Sequence, residues 1–319
     1  MSILQPDKYI LPIDEYILPL YDDYVLKAIL THPDAKISLM DIITAAIDRT
    51  VANVKIRNNE LPTMDTEEKT ERLDVNCIID NGDQVDVEMQ GSRLEELTEG
   101  HTNFLNKTIY YLTDLHSSQK SKGVEYYDLV RTYQITFSMY TIFPGYTDYV
   151  TFASMRRSDG VLISDQINLV IIELSKLDAA LKKPVEEMTS LEMWSIFLRY
   201  ASDPQHRKLI NEIITKKEAL SVAAKVLTSI SKDEHERAKF MSRRKFETDM
   251  YSNLMTAEKR GEIRGIAIGE ERGIAIGEER GREEGLRETV QEMKKENFPD
   301  EVIARITKLT MEKIREYTQ

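Results

Sequence analysis

Residues 72–90 constrain this chain more than any other stretch. They read Arg-Leu-Asp-Val-Asn-Cys-Ile-Ile-Asp-Asn-Gly-Asp-Gln-Val-Asp-Val-Glu-Met-Gln, two alternating runs joined through Asn81-Gly82. An Asn-Gly pair between such runs marks a β-hairpin, because both turn positions must accept positive φ. In the first strand Leu73, Val75 and Cys77 alternate with Asp74 and Asn76; in the second, Val85 and Val87 alternate with Asp86, Glu88 and Gln90. A period of two sends the polar members to one face. Asp74 and Glu88 then meet across the hairpin, with Gln90 next along. Two carboxylates so placed offer oxygen ligands to Mg²⁺, which keeps several waters and takes only one or two protein carboxylates. A solvated sheet surface shows the same alternation, and Asp86 shares the face as a flanking acid. The pattern alone therefore does not single out the ligands.

The Asp74…Glu88-x-Gln90 arrangement, with Arg-Leu-Asp-Val at 72–75 and Val-Glu-Met-Gln at 87–90, resembles the PD-(D/E)XK nuclease superfamily. Within it the match is to the recombination-promoting nuclease/transposase family (Rpn). The resemblance implies that Asp74 and Glu88 bind a catalytic divalent metal, Mg²⁺ or Mn²⁺, and that Gln90 stands where the superfamily usually has Lys. Asp23-x-x-Leu-Lys27 resembles the family's Asp-x-x-Phe-Lys motif, with Leu26 in the Phe position, and implies that Asp23 can complete the metal shell. Lys107-Thr-Ile-Tyr-Tyr111 resembles its Arg-x-x-Tyr-Tyr helix motif, with Lys for Arg. That likeness implies a cation at the active-site face, supplying the charge an amide such as Gln90 lacks. On residue type alone, Asp22 or Asp23 is equally a first-turn carboxylate favoured by the helix dipole. Lys107, one turn from Asn103 and Tyr111, is equally an ordinary surface lysine. The activity implied is metal-dependent DNA endonuclease cleavage of phosphodiester bonds, associated with recombination and mobile elements or with phage defence. The Gln at position 90 leaves open a catalytically silent nucleic-acid-binding module.

The order of elements gives an α/β fold. The resemblance makes it a restriction-endonuclease-like core, a central mixed sheet flanked by helices, followed by an α-helical C-terminal region. Two near-repeats ending in Pro12 and Pro19 precede a helix with Val25, Leu26, Ile29 and Leu30 on one stripe. Ile37, Met40, Ile43, Ala46 and Ile47 suggest a second helix over 37–49, and Val54-Lys55-Ile56 a short strand in a polar connector over 53–71. A long helix over 92–119 carries Leu94, Leu97, Phe104, Leu105, Ile109, Leu112 and Leu115 as its apolar stripe. Strand-like runs follow at 130–142, 149–155, 161–164 and 167–174. Domain boundaries are expected as a nuclease-like core over 1–183, a helical region over 184–255, a glycine-periodic tail over 256–286 and a helical hairpin over 287–319. In the helical region Trp194 reads as a packing residue. In the hairpin Val302, Ile303, Ile306 and Leu309 face Met311 and Ile314.

Seven glycines, Gly261 to Gly285, recur every four residues, and the octet Gly-Ile-Ala-Ile-Gly-Glu-Glu-Arg stands twice. Each glycine costs a helix close to 1 kcal/mol relative to Ala. A helix survives if a smooth ridge lets a second helix approach, which predicts a homo-oligomer; a repeat-expanded linker fits the same residues. If the tail is the main working part, the chain is an oligomerising interaction protein with a relic core. The glycines do not follow a strand, which argues against a phosphate cradle.

Charge bears on the partner. The net charge is −12, and residues 1–165 hold all of it, with 15 Lys+Arg against 27 Asp+Glu; the remainder holds 28 of each. Clustered carboxylates repel phosphate unless cations or local basic residues intervene. The single cysteine excludes an internal disulfide. With no basic leader and no long apolar run, a soluble, cytoplasmic protein without a membrane partner is expected.

Overall fold

The computed structural model describes residues 9–57, 74–91, 93–119 and 125–318, with backbone alone over 93–102. Part of the expected connector (58–71) and residue Leu73 lie outside the described residues, as do the side chains of Leu94 and Leu97. The chain forms two compact units, one ending at Asp249 and the other beginning at Met250.

The first unit is built on a six-stranded mixed sheet in the order β1-β2-β3-β4-β6-β5. The strands are β1 Val54–Ile56, β2 Val75–Ile79, β3 Gln84–Gln90, β4 Thr132–Ser138, β5 Val150–Arg156 and β6 Leu162–Glu173. β3 and β4 pair in parallel, as do β4 and β6; the other neighbours are antiparallel. Its helices begin with α1 Asp23–Leu30, α2 Lys36–Ile47, α3 Arg93–Ser117 and the short α4 Asp178–Leu181. They continue with α5 Ser190–Tyr200, α6 Arg207–Lys216, α7 Glu218–Lys232 and the start of α8, which runs Glu234–Lys295.

The expected hairpin is present. Asn81 and Gly82 carry φ of 63° and 84° in the turn, the conformation their side chains permit most cheaply. Val75 pairs with Val87 and Cys77 with Val85. These apolar residues point with Met89, Ile135, Phe137, Val170 and Ile172 into the main core, formed with α1, α2 and α5–α7. Trp194 lies in that core, its indole N–H on Asp41 at 2.7 Å. α3 covers the opposite face, where Phe104 and Leu112 pack on Leu169, Ile171 and Tyr140. Because β3 and β4 are parallel, their connection must cross over the sheet, and α3 is that crossover.

Three details differ from the pattern that periodicity predicts. The runs at 161–164 and 167–174 are one strand, β6; the polar Ser164-Asp165-Gln166 step is taken up by a register shift opposite Ser154 and Met155. In α2 the buried face is Leu39, Ile42, Ile43 and Ala46, and Ile37 is exposed, because the contact with α5 and α7 lies about one residue round the helix. In α3, Ile109 is 49% exposed although Leu112 and Leu115 are buried. A single-sided contact cannot hold both ends of so wide a stripe.

In the second unit α8 continues as unbroken helix through all seven glycines, and α9 Asp300–Thr307 and α10 Met311–Thr318 fold back on its end. The segment expected as a helical hairpin, 287–319, thus holds the end of α8 with α9, which carries Val302, Ile303 and Ile306, and α10, which carries Met311 and Ile314. Val290, Ile303, Ile314 and Tyr317 form a small core. Ile306 and Met311 face outward, since two-turn helices can bury only one narrow stripe. Among the described residues no helix is long and apolar enough to cross a membrane.

Candidate functional site

β3 presents Gln84, Asp86, Glu88 and Gln90 to the α3 side of the sheet, and all four are buried. This is no solvated face. Val75–Val87 pairing puts Asp74 opposite Glu88, and the Met89 amide donates to Asp74 Oδ2 at 3.2 Å. In the parallel register Asp86 lies beside Gln134 and Glu88 beside Thr136. Gln134 Nε2 donates to Asp86 Oδ2 at 2.8 Å. The half-buried Asp74 and the buried Asp86 and Glu88 thus form a carboxylate cluster that contains the expected pair.

Burial sets the electrostatics. It pushes Asp74 up to about 7, with repulsion from Asp86 and Asp23 adding to it; the Met89 amide and Lys27 oppose the shift. Burial pushes Asp86 up to about 6 against hydrogen bonds from Gln134 and Glu88 and the charge of Lys27. Glu88 is raised well above the ordinary carboxylate range by burial and by Asp86 and Asp74, with Lys107 pulling it down.

Two lysines reach this cluster from different helices. Lys107 of α3 acts on Glu88, with its ammonium 5.9 Å from the Tyr111 ring centroid. Lys27 of α1 acts on Asp74 and Asp86. The Gln90 amide oxygen accepts from the Tyr140 hydroxyl at 3.3 Å.

α1 is brought up by a close backbone approach. A Cβ on Gly91 would lie 1.8 Å from the Tyr21 carbonyl oxygen, so only glycine lets the segment before α1 cross the end of β3. Asp22 caps α1 through the amides of Tyr24 and Val25, and burial and Asp23 push it up to about 6. Asp23 stands in the first turn, near enough to raise Asp74, and holds Arg243 of α8 at 2.7 and 3.0 Å.

The structure therefore brings together Asp74, Glu88, Gln90 and Lys107, with Asp23 at the margin. Asp86, Gln134, Tyr140, Lys27 and Arg243 join them although the sequence does not single them out as site residues. Lys27 has a signal, one turn after Asp23 in the same motif. Gln134 and Tyr140 have none, since only the parallel register places them.

Among the described residues no three His, Cys, Asp or Glu side chains are gathered as a ready metal cage. The donor set suits a hard cation that needs fewer. Asp74 and Glu88 offer carboxylate oxygens, and beside them Gln134 Oε1 and Thr136 Oγ1 are buried without a hydrogen-bond partner.

Against protein-family models, residues 20–257, well over half of the 319, match the PD-(D/E)XK nuclease family transposase. No curated protein and no solved structure matches the chain. The mixed sheet flanked by helices is consistent with a restriction-endonuclease-like fold, and the family supports a nuclease-like function. The motifs at Asp23, at Asp74 with Glu88-x-Gln90 and at Lys107 all fall inside the matched span, and the chain belongs to the PD-(D/E)XK nuclease family transposases.

Proposed function

We propose that the protein is a divalent-metal-dependent nuclease that cuts phosphodiester bonds within DNA. The observation that carries this reading is the facing pair Asp74 and Glu88 in a buried face, where two like charges repel unless a proton or cation joins them. Asp74 and Glu88 would hold Mg²⁺ or Mn²⁺, with Asp23 able to add a third carboxylate. When bound, such an ion lowers the pKa of a water and stabilises charge developing on the attacked phosphate. Gln90, fixed by Tyr140, orients the water but neither gives nor takes a proton at neutral pH. Lys107 supplies the positive charge beside Glu88 and contacts phosphate.

The test is cleavage of duplex and single-stranded DNA by the full chain in Mg²⁺, in Mn²⁺ and in EDTA. Metal-dependent cleavage lost in both Asp74→Ala and Glu88→Ala supports the reading. Cleavage by Asp74→Ala at the wild-type rate overturns it, and binding without cleavage assigns the silent module instead.

A second reading concerns assembly. The seven glycines of α8 are helical, and no atom beyond the helix's own backbone lies within 4 Å of where a Cβ would stand on any of them. That smooth ridge favours pairing with the same helix of a second copy, giving a homo-oligomer. Sedimentation of the full chain should show a species larger than one chain, reduced to a monomer by Gly269→Leu with Gly273→Leu. A monomer before substitution removes the reading.

A further inference from the structure

The acidic balance of the chain sits badly with a polyanionic substrate, and one short run answers it. Residues 237–245 at the root of α8 hold Arg237, Lys239, Arg243, Arg244 and Lys245 with no acidic residue between them. Arg243 is the member that reaches the carboxylates. Its Nη2 contacts both oxygens of Asp23, at 2.7 and 3.0 Å, and its guanidinium lies over the Tyr24 ring at 5.4 Å. Asp22 and Glu247 face it as well. Asp23 in turn acts on Asp74. One carboxylate therefore separates the guanidinium from the cluster.

Only one nitrogen of the fork is used. Among the described residues neither Nη1 nor Nε has a hydrogen-bond acceptor, and the side chain is 45% exposed. A guanidinium is planar with paired donors that match two oxygens of a phosphate as well as those of a carboxylate. Tyr24 fixes its plane, leaving the open edge available to an anion.

We propose that Arg243 is a backbone-phosphate contact for the nucleic acid, one nitrogen of its guanidinium resting on Asp23 and the open edge free to take a phosphate oxygen. The inference rests on the nuclease reading and adds to it the residue that receives the substrate. Asp23 also gains a second role, since its carboxylate competes with phosphate for the guanidinium.

The test needs no catalysis. Full-length protein in EDTA is titrated against a fluorescein-labelled DNA duplex, and anisotropy is followed over a range of salt. Asp23→Asn removes the competing carboxylate charge and should tighten binding several-fold over wild type. Adding Arg243→Ala or Arg243→Gln to Asp23→Asn should remove the gain and flatten the plot of log K against log salt by ~0.9, the value of one lost phosphate contact. Thermal unfolding of each variant separates this loss from misfolding, because a merely structural Arg243 would lower the melting temperature without changing the salt slope. Equal slopes for Asp23→Asn with and without Arg243 overturn the proposal, as does the absence of any DNA binding in EDTA. Either result leaves the Mg²⁺ cleavage assay to judge the nuclease reading separately.

Discussion

The β3 face and the glycine-bearing stretch of α8 break the usual sorting of residues in opposite directions. In β3, Asp86, Glu88 and Gln90 are buried where apolar side chains are the rule. Along α8, Ile263, Ile266, Ile268, Ile274 and Ile276 stand 42–64% exposed where polar ones are the rule. The first inversion costs desolvation and repulsion within the folded chain. The second costs unburied apolar surface and about 1 kcal/mol of helix propensity at each glycine. A chain can tolerate either cost when something outside it removes the cost: a cation for the carboxylates, an apolar helix for the isoleucines. The readings proposed above give the two regions different partners, and each can be tested alone.

The largest expected effect lies at the carboxylates. Asp74→Ala or Glu88→Ala should cut metal-dependent cleavage by at least on the order of 10²-fold, comparable with losing one key electrostatic contact elsewhere. The same variants should leave the metal-free protein folded, with a melting temperature equal to or above that of wild type. A clear fall would mean that these groups support the fold, and the contrast with α8 would lapse.

Next in size is a pH effect on the metal-free protein. Asp74 and Asp86 titrate near 7 and 6 when folded but near 4 when unfolded. The folded state therefore holds protons that the unfolded state has released. Stability is full below about pH 4 and falls as pH rises through 6 to 7. Chemical denaturation in EDTA should show a loss on the order of a few kcal/mol between pH 4 and 8. Mg²⁺ at 100 times its dissociation constant should restore about 2.7 kcal/mol at pH 8. Asp74→Asn should flatten the profile, and α8 variants should leave it unchanged.

The glycines give a smaller effect. Ala fits at Gly269, Gly273 and Gly277 without meeting any neighbouring atom, so each Gly→Ala should raise helix stability by about 1 kcal/mol if α8 stands alone. If the ridge pairs with a second copy, the gain should be offset by weaker association, visible as a concentration-dependent melting temperature that disappears. The smallest effect on stability belongs to Lys107→Ala, within about 0.5 kcal/mol of neutral by thermal melting. Its cleavage rate should fall nonetheless, since Lys107 is the group that draws Glu88 toward ionisation.

What can be read in the sequence follows from how local its cause is. The hairpin is legible because Asn81 and Gly82 supply the two positive φ angles themselves. The α1 stripe, Val25, Leu26, Ile29 and Leu30, is buried as its spacing indicates. Where burial depends on a distant surface, spacing misleads by a residue or two: Ile37 and Ile109 are apolar, in phase and exposed. The site divides in the same way. Asp74, Glu88 and Gln90 lie within one hairpin and carry a recognisable pattern. Gln134 reaches Asp86 across 48 residues and Arg243 reaches Asp23 across 220, so neither leaves a local trace. The helicity of α8 is also undecided locally, because glycine every fourth residue suits a linker as well as a ridge.

The span between Asp23 and Arg243 has a consequence in time. A chain leaves the ribosome from its N-terminus, at roughly 5–20 residues per second. The 220 residues separating the two partners therefore take on the order of ten to forty seconds to follow. Through that interval the hairpin can fold and α1 can dock, yet Asp23 has no guanidinium to hold and the basic run has not been made. Until then Lys27 and Lys107 alone offset the carboxylate cluster, and Asp23 lacks its partner on α8. The Asp23–Arg243 pair closes only when the root of α8 arrives, when the first compact unit is within a few residues of its end.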